Sequence, residues 1–247
     1  MTASVTAIWR HPIKSHGREP LKTVTMTKGQ TMPGDRIWAV AHEQSDANNS
    51  KWSPCAHFSR VSKTAGLMAI TSQWDEKTGK ITLSHPELTD LTFNPDQDPD
   101  SFLQWVDPLM DKTRAMPARF VKVPGRGMTD SDFPSVTLCN LASHTAVEQQ
   151  LGQPLSLHRW RGNIWFDTQN PWEEFSWLGK EVQIGEAILK VREFTDRCKA
   201  TTASPDTGRR DVNVLAALDH FGHQDFSVRA EVVRSGKIAF GDPVRVP

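Results

Sequence analysis

The chain has 247 residues, enough to bury a sizeable core in one large or two small domains. It carries 29 Lys and Arg residues against 29 Asp and Glu residues, and its isoelectric point is about 7.1. No overall electric field therefore attracts nucleic acid or an anionic membrane, and we expect neither as a partner. Any site for an anion must be a local cluster of cations.

The lack of a recognisable secretory signal or membrane span, together with the cysteine pattern, predicts a cytoplasmic protein. No apolar run approaches the roughly 20 residues that a membrane span needs, and residues 1–14 are too polar for a secretory signal. The three cysteines, Cys55, Cys139 and Cys198, are odd in number and far apart. They indicate neither a disulfide framework nor a Cys-x-x-Cys metal site, and they fit a reducing compartment.

Short runs that alternate in hydropathy or are rich in β-branched residues predict many strands. These runs are residues 5–10, 21–27, 37–42, 80–83, 119–123, 136–139, 163–167, 182–184, 187–194, 227–233 and 243–246. Helical spacing of apolar residues predicts helices over 100–110, 143–151, with Ser143 as N-cap, and 212–221. The fold is therefore predicted to be mainly β, a barrel or sandwich with a few helices. Residues 124–134 break the periodicity, as a domain boundary or as an active-site loop.

Cys198 follows the strand predicted over 187–194 and lies between Arg197 and Lys199. Neighbouring cations favour the thiolate, which is both a nucleophile and a soft metal ligand. Asp196 adds a negative charge that opposes this effect. The alternative is that Cys198 is a small buried apolar residue, which is common for a single cysteine.

Two separated segments carry a resemblance to a known family. The stretch 198–211, together with 214–218 and 236–244, resembles the MOSC domain, named for the C-terminal domain of molybdenum cofactor sulfurase. Pro12-Ile13-Lys14-Ser15 and Gly34-Asp35-Arg36-Ile37-Trp38 resemble the β-barrel domain that precedes MOSC in amidoxime-reducing proteins. The resemblance implies an N-terminal β-barrel-like domain over 1–124 and a MOSC β-barrel over 125–247.

The resemblance also implies a molybdenum cofactor, that is, molybdopterin carrying molybdenum. Cys198 matches the cysteine that ligates molybdenum and is the implied catalytic residue. The positions that match or are aligned with cofactor contacts are Lys14, Ser15, Arg36, Arg161, Asn163, Arg197 and Arg229. Residue chemistry also allows simpler roles. Lys14 and Arg36 could be solvated cations, Ser15 and Asn163 turn residues, and Arg161 the partner of Glu173, Glu174 or another surface carboxylate.

The sequence departs from the family pattern at three places. Gly162 replaces a proline in the segment Trp160-Arg161-Gly162-Asn163, Arg229 is aligned with a tyrosine of the animal amidoxime reducers, and Asp196 replaces a small polar residue. His11 and His16, which flank the Lys14 motif, are candidates for proton donors at the cofactor mouth or for surface residues. The histidines show no zinc-protease spacing, and no nucleotide-binding glycine motif occurs.

The resemblance implies an oxidoreductase that reduces N-hydroxylated or other N-oxygenated small molecules with two electrons and two protons, releasing water. Because the sequence has no iron-sulfur cysteine set and no nicotinamide motif, the electrons are expected from a separate donor protein. The alternative is a carrier that holds a persulfide on Cys198 for metal-sulfur cluster or cofactor maturation. A non-catalytic module that binds or stores the cofactor is a third hypothesis.

Overall fold

The computed structural model describes residues 3–246, and strands make up most of its regular structure. Three α-helices occur in these residues, α1 (Pro99–Val106), α2 (Leu141–Leu151) and α3 (Val214–Asp219). The strands are β1 (Ser4–Arg10), β2 (Glu19–Leu21), β3 (Thr23–Met26), β4 (Ala39–His42), β5 (Thr71–Asp75), β6 (Lys80–His85), β7 (Leu88–Phe93), β8 (Pro117–Val121), β9 (Ser135–Asn140), β10 (Ile164–Asp167), β11 (Glu181–Ile184), β12 (Ala187–Asp196), β13 (Asp225–Arg234), β14 (Gly236–Ala239) and β15 (Val244–Arg245).

The largest sheet has eight strands in the order β15-β11-β12-β13-β9-β10-β1-β2. Burial alternates along its strands. In β12, Ala187, Leu189 and Val191 are buried while the residues between them are more exposed, as expected for a strand with one face on the core. The sheet curls, since Val5 N donates to Asp242 O over 2.9 Å. This contact brings the start of β1 against the residues before β15.

The prediction of a mainly β fold with few helices is confirmed. The largest sheet is open, with β15 and β2 as its edge strands, and its strands do not form a closed barrel with continuous pairing. Three strands were not predicted, β5, β7 and β14. Their sequences, Thr-Ser-Gln-Trp-Asp, Leu-Thr-Asp-Leu-Thr-Phe and Gly-Lys-Ile-Ala, show no regular alternation of apolar and polar residues.

The helices lie where helical spacing predicted them, with different ends. The cap of α2 is Asn140, whose side chain accepts from Ala142 N, so the prediction of Ser143 as N-cap was wrong. The Ser143 hydroxyl instead donates to the buried carboxyl of Glu174 over 2.8 Å. Gly152 ends the helix with a φ of 66°, a conformation that glycine adopts at little cost.

Strands from both ends of the chain share one sheet. In the large sheet β1 pairs with β10, and in a separate two-stranded sheet β3 pairs with β14, although more than a hundred residues separate the partners. Residues before and after the division predicted at 124 and 125 therefore interlock, and the division itself stays a prediction. None of the helices in residues 3–246 is both long enough and apolar enough to span a membrane.

Candidate functional site

One pocket gathers nearly all of the residues that the sequence singled out. Its volume is about 270 Å³, and it is lined by residues of β9, β12 and β13 and of loops from both halves of the chain. The predicted site residues in its wall are Lys14, Ser15, Arg36, Arg161, Arg197, Cys198 and Arg229. Asn163 is not among the lining residues. The residues 129–130, in the stretch predicted as a boundary or an active-site loop, line the pocket as well.

Three backbone segments are hydrogen-bonded side by side to form one wall of the pocket. Arg36 N donates to His11 O over 2.7 Å, and Lys14 N donates to Trp38 O over 2.8 Å. Met128 N donates to Arg36 O over 2.7 Å. Because these bonds join residues 11–14, 36–38 and 128, the Lys14 and Arg36 motifs become neighbours despite their separation in sequence.

Lys14 is buried and anchors the loop before β9. Its Nζ donates to Met128 O over 2.7 Å and forms an ion pair with Asp130. Desolvation alone would raise the pKa of the Asp130 carboxyl, but the neighbouring cations, Lys14 foremost, outweigh it and lower the pKa to about 2. Lys14 is thus a held cation in the pocket wall rather than a solvated surface residue.

Arg36 and Arg161 are two further cations of the pocket wall, and they are hydrogen-bonded to each other. Arg36 Nη2 donates to the Arg161 carbonyl over 2.8 Å, and its Nη1 pairs with Asp35. Arg161 Nη2 donates to Gly17 O over 3.2 Å, whereas the buried Nη1 has no partner in residues 3–246. Burial, followed by the charges of Arg36 and Arg18, lowers the pKa of Arg161 to about 9. An anion placed at Nη1 would relieve both the missing hydrogen bond and the repulsion.

Backbone strain concentrates at this wall. Ser15, Arg36 and Arg161 have φ values of 66°, 53° and 50°, in the left-handed region that residues other than glycine seldom adopt. Such conformations cost about 1–3 kcal/mol each and persist only where the surroundings impose them. Strain at three pocket residues favours a functional rather than an incidental role for this wall.

Cys198 lies two residues after the end of β12, and its side chain is exposed. Its carbonyl accepts from Thr201 N over 3.2 Å and from Thr201 Oγ1 over 3.1 Å, which fixes the turn that follows. The thiol is therefore presented to the pocket from a defined backbone. The alternative of Cys198 as a buried apolar residue does not hold.

Arg197 has its donors engaged by the protein. Its guanidinium donates to Trp160 O over 2.8 Å, to Phe226 O over 2.7 Å and to Ser227 Oγ over 2.7 Å. Trp160 and Phe226 stack with ring centroids 3.7 Å apart, and Arg197 lies against both rings. Burial lowers the pKa of Arg197 to about 10. These contacts make Arg197 a residue that positions the Cys198 turn against the segment before Arg161.

Arg229 lies on β13 and pairs with two carboxylates of β12. The distances are 2.9 Å to Glu193 and 3.3 Å to Asp196. Ser131 Oγ also donates to Glu193, over 2.6 Å, so this cluster ties the loop before β9 to the pocket. Asp196, whose charge was expected to oppose a Cys198 thiolate, has Arg229 as its counter-ion.

Asn163 lies behind the pocket and holds strands together. Its Oδ1 accepts from Thr137 N over 3.1 Å, and its Nδ2 donates to Trp9 O over 3.2 Å. The structure thus does not bring Asn163 to the pocket wall with the other predicted residues. The sequence motif correctly locates the segment, but the direction of this side chain depends on the neighbouring strands.

The glycine that replaces the family's proline has a packing reason. A Cβ added to Gly162 would lie 2.1 Å from Cys139 Sγ, far inside the van der Waals distance. Cys139 is fully buried, and burial raises the pKa of its thiol to about 12. Gly162 and Cys139 therefore form a close-packed pair under the pocket.

The two histidines near the Lys14 motif are buried and do not line the pocket. His11 contacts Asp35 over 3.3 Å, and burial, with the charges of Arg161 and Arg36, lowers the pKa of His11 to about 3. His16 Nδ1 contacts Lys14 O over 2.7 Å, and burial lowers its pKa to about 4. The hypothesis that they donate protons at the mouth was wrong, as was the alternative that they lie on the surface.

Sequence reasoning missed several residues of the pocket wall, namely Cys55, Arg60, Thr129, Asp130, Thr137 and Arg159. Arg159 pairs with Asp211 over 2.7 Å. The expected alternative for Arg161, an ion pair with Glu173, Glu174 or another surface carboxylate, does not occur in residues 3–246, where its Nη2 donates to Gly17 O and its Nη1 has no partner. No local signal separates Arg60 or Arg159 from other arginines, since only the fold brings them to the pocket.

The chain is similar to two solved structures and to two family profiles. The YuaD protein of Bacillus subtilis has 13% sequence identity and a TM-score of 0.48, with 100% of this chain and 96% of that chain covered. YiiM of Geobacillus stearothermophilus has 17% identity and a TM-score of 0.35, with 45% of this chain and 53% of that chain covered. No curated protein matches the chain. Sequence profiles match the MOSC N-terminal beta barrel domain over residues 2–116 and the MOSC domain over residues 128–245, so the chain belongs to the MOSC domain family.

Proposed function

We propose that the protein binds a molybdenum cofactor in this pocket and reduces N-hydroxylated or other N-oxygenated small molecules. The observation that carries the proposal is the meeting of an exposed thiol, Cys198, with the held cations Lys14, Arg36 and Arg161 in one cavity. Membership of the MOSC domain family links the chain to proteins of the molybdenum cofactor. Family membership alone does not assign a reaction, because members of one fold family can carry different sites.

The phosphate end of the cofactor would fit the Arg36 and Arg161 wall. A buried guanidinium nitrogen without an acceptor is costly, and Arg161 Nη1 is such an atom. A phosphate oxygen would supply the acceptor through a charge-assisted hydrogen bond. Arg36, linked to the Arg161 carbonyl, would add a second cation for the same dianion.

The metal end would fit Cys198. A thiolate is a soft ligand suited to molybdenum, and the cofactor's own dithiolene sulfurs would complete the metal's sulfur ligands. Residues 3–246 contain no group of three or more His, Cys, Asp or Glu side chains that could hold a metal ion. Cys198 would therefore be the protein's own ligand to a metal that the pterin already carries.

The cofactor, when bound, would supply the two-electron chemistry that converts an N-hydroxylated compound, with two protons, into the reduced compound and water. The chain's residues would orient it. Arg197 holds the Cys198 turn against the Trp160 and Phe226 carbonyls, and Lys14 holds the loop at Asp130. A separate protein would deliver the electrons, docking weakly as redox partners do.

The test begins with protein made in a host that synthesises the cofactor. Molybdenum and pterin should co-purify in equal amounts, and reduced viologen should then drive reduction of benzamidoxime. Protein that carries a persulfide on Cys198 but no pterin would favour the sulfur carrier instead. Bound cofactor without turnover of any N-oxygenated compound would favour the binding or storage module.

A further inference from the structure

Arg60 is a pocket arginine to which the proposed function assigns no role. It lines the cavity together with Val61 and Ser62, on a turn closed by two hydrogen bonds of 3.0 Å from Lys63 N and Thr64 N to its carbonyl. This segment comes from the N-terminal half of the chain. Ala200 and Thr201, in the turn that follows Cys198, line the same cavity.

Arg210 fixes the distance between these two walls. Its Nη2 donates to Ser62 O over 3.0 Å, and its Nη1 donates to Thr202 Oγ1 over 2.7 Å and to the carbonyl of Lys199. Lys199 directly follows Cys198. Arg60 is therefore held near the Cys198 end of the pocket by a bridge only a few residues long on each side.

The other cations of the pocket already have their partners in the part of the chain that the structure describes. Four of these cations form ion pairs with carboxylates. Backbone carbonyls accept hydrogen bonds from Arg197 and from Nη2 of Arg161. These six are Lys14, Arg36, Arg159, Arg229, Arg197 and Arg161. The free nitrogen of Arg161 is assigned above to phosphate.

Arg60 differs from all of them. Its one side-chain hydrogen bond within residues 3–246 runs from Nη1 to Cys55 Sγ over 3.2 Å, and a thiol sulfur is a weak acceptor. Arg60 is half-buried, so its remaining donors are open to a ligand. A guanidinium in this position is matched best by a carboxylate, which it can bind through two parallel hydrogen bonds.

We propose that Arg60 binds a carboxylate on the substrate, so that the preferred substrates are N-hydroxylated compounds that also carry an anionic group. This inference rests on the proposed function and deepens it by naming the substrate class. The carboxylate would lie at Arg60 while the N–O group faces the Cys198 end. Arg60 would then determine specificity without touching the reacting atoms.

The experiment compares benzamidoxime with 4-carboxybenzamidoxime, which differ only in the carboxylate. For cofactor-loaded wild type, we expect the ratio of kcat/KM, carboxylated over neutral, to be well above one. Arg60→Gln should lower this ratio by about 10- to 100-fold, mainly through KM, because a charge-assisted hydrogen bond is lost. Arg60→Lys should give an intermediate ratio, since it keeps the charge but not the two-pronged geometry.

Two controls distinguish a loss of carboxylate recognition from a loss of bound cofactor. Arg114→Gln, at an exposed arginine outside the pocket, should keep the wild-type ratio. Molybdenum and pterin content is measured for each variant, and a loss confined to Arg60→Gln would mean that Arg60 holds the cofactor, which overturns the inference. An unchanged ratio in Arg60→Gln would overturn it too.

Binding of both compounds is also measured by titration calorimetry, which does not depend on turnover. Tighter binding of the carboxylated compound, lost in Arg60→Gln, would support the inference even if wild type reduced neither compound and the proposed function failed. Equal binding of the two compounds to wild type would contradict the inference even if both were reduced.

Discussion

Arg36 donates from Nη2 to the backbone carbonyl of Arg161 over 2.8 Å, across 125 positions of sequence. Both residues have positive φ values, and the bond fixes the strained Arg161 backbone from which its guanidinium projects. One cation thus positions another. This arrangement leaves Arg161 Nη1 without a protein partner in residues 3–246, so that it is available to an anion.

Arg161→Gln should weaken cofactor binding by about 10- to 100-fold, because a buried charge-assisted hydrogen bond to phosphate is lost. Molybdenum and pterin content after purification measures the effect. Arg234→Gln, at an exposed arginine outside the pocket, is the matched control. Full cofactor content in Arg161→Gln would show that the phosphate lies elsewhere.

Cys198→Ser should abolish molybdenum-dependent reduction and leave the fold intact, since a hydroxyl is a poor ligand for a soft metal and the side chain is exposed. Activity with reduced viologen and the circular dichroism spectrum are compared with those of wild type. Cys139→Ala serves as the control because that sulfur is fully buried and does not line the pocket. Equal turnover by Cys198→Ser and wild type would remove the ligand role.

Gly162→Ala should destabilise the protein by about 1–3 kcal/mol, because the new Cβ would lie 2.1 Å from Cys139 Sγ. Urea denaturation gives the free energy of unfolding. The double variant with Cys139→Ala should recover part of that loss, since the opposing sulfur is gone, with a coupling of at least about 0.5 kcal/mol. Strictly additive effects would contradict the proposed clash.

The protein should lose stability as the pH falls below 6.5. Burial lowers the pKa of His16 from 6.5 to about 4, so the unfolded chain binds a proton in this range that the folded chain does not. The free energy of unfolding should therefore fall by up to about 1.4 kcal/mol per pH unit for this group. His11, with its pKa lowered to about 3, adds a similar slope.

His16→Met removes one of these two groups, so its unfolding free energy should depend less steeply on pH between 6.5 and 4 than that of wild type. Urea denaturation at several pH values measures both slopes. The variant also loses the Nδ1 contact to Lys14 O, which lowers stability at every pH without changing the slope. Parallel curves for the two proteins would contradict the neutral state of His16.

Cofactor-loaded protein should reduce benzamidoxime with reduced viologen but not with NADH, because the sequence contains no nicotinamide or flavin motif. Substrate loss under each reductant measures this. Adding an electron-donor protein should restore turnover from NADH, with a rate that falls with salt if charges steer the encounter. NADH oxidation by the isolated protein would overturn the need for a donor.

Much of the fold was predictable from sequence because its signals are local. The alternation in β12 and β13 and the apolar spacing in α1 specify elements within a few residues. The strands β5, β7 and β14 escaped prediction because their pairing depends on their partner strands rather than on a pattern in their own sequences. The Ser143 cap failed for a similar reason, since its hydroxyl has a buried partner in Glu174.

The sequence by itself determined which segments carry the site: the Lys14 and Arg36 motifs, the stretch before Asn163, and the turn at Cys198. The tertiary structure decided what each side chain does there. In the folded chain Arg197 donates hydrogen bonds to backbone carbonyls, and Asn163 bonds to the neighbouring strand β9. His11 and His16 are buried. The tertiary structure also brought Arg60 into the pocket. The physical reason is that a side chain's hydrogen-bond partners and burial come from residues far away in sequence, which no local pattern records.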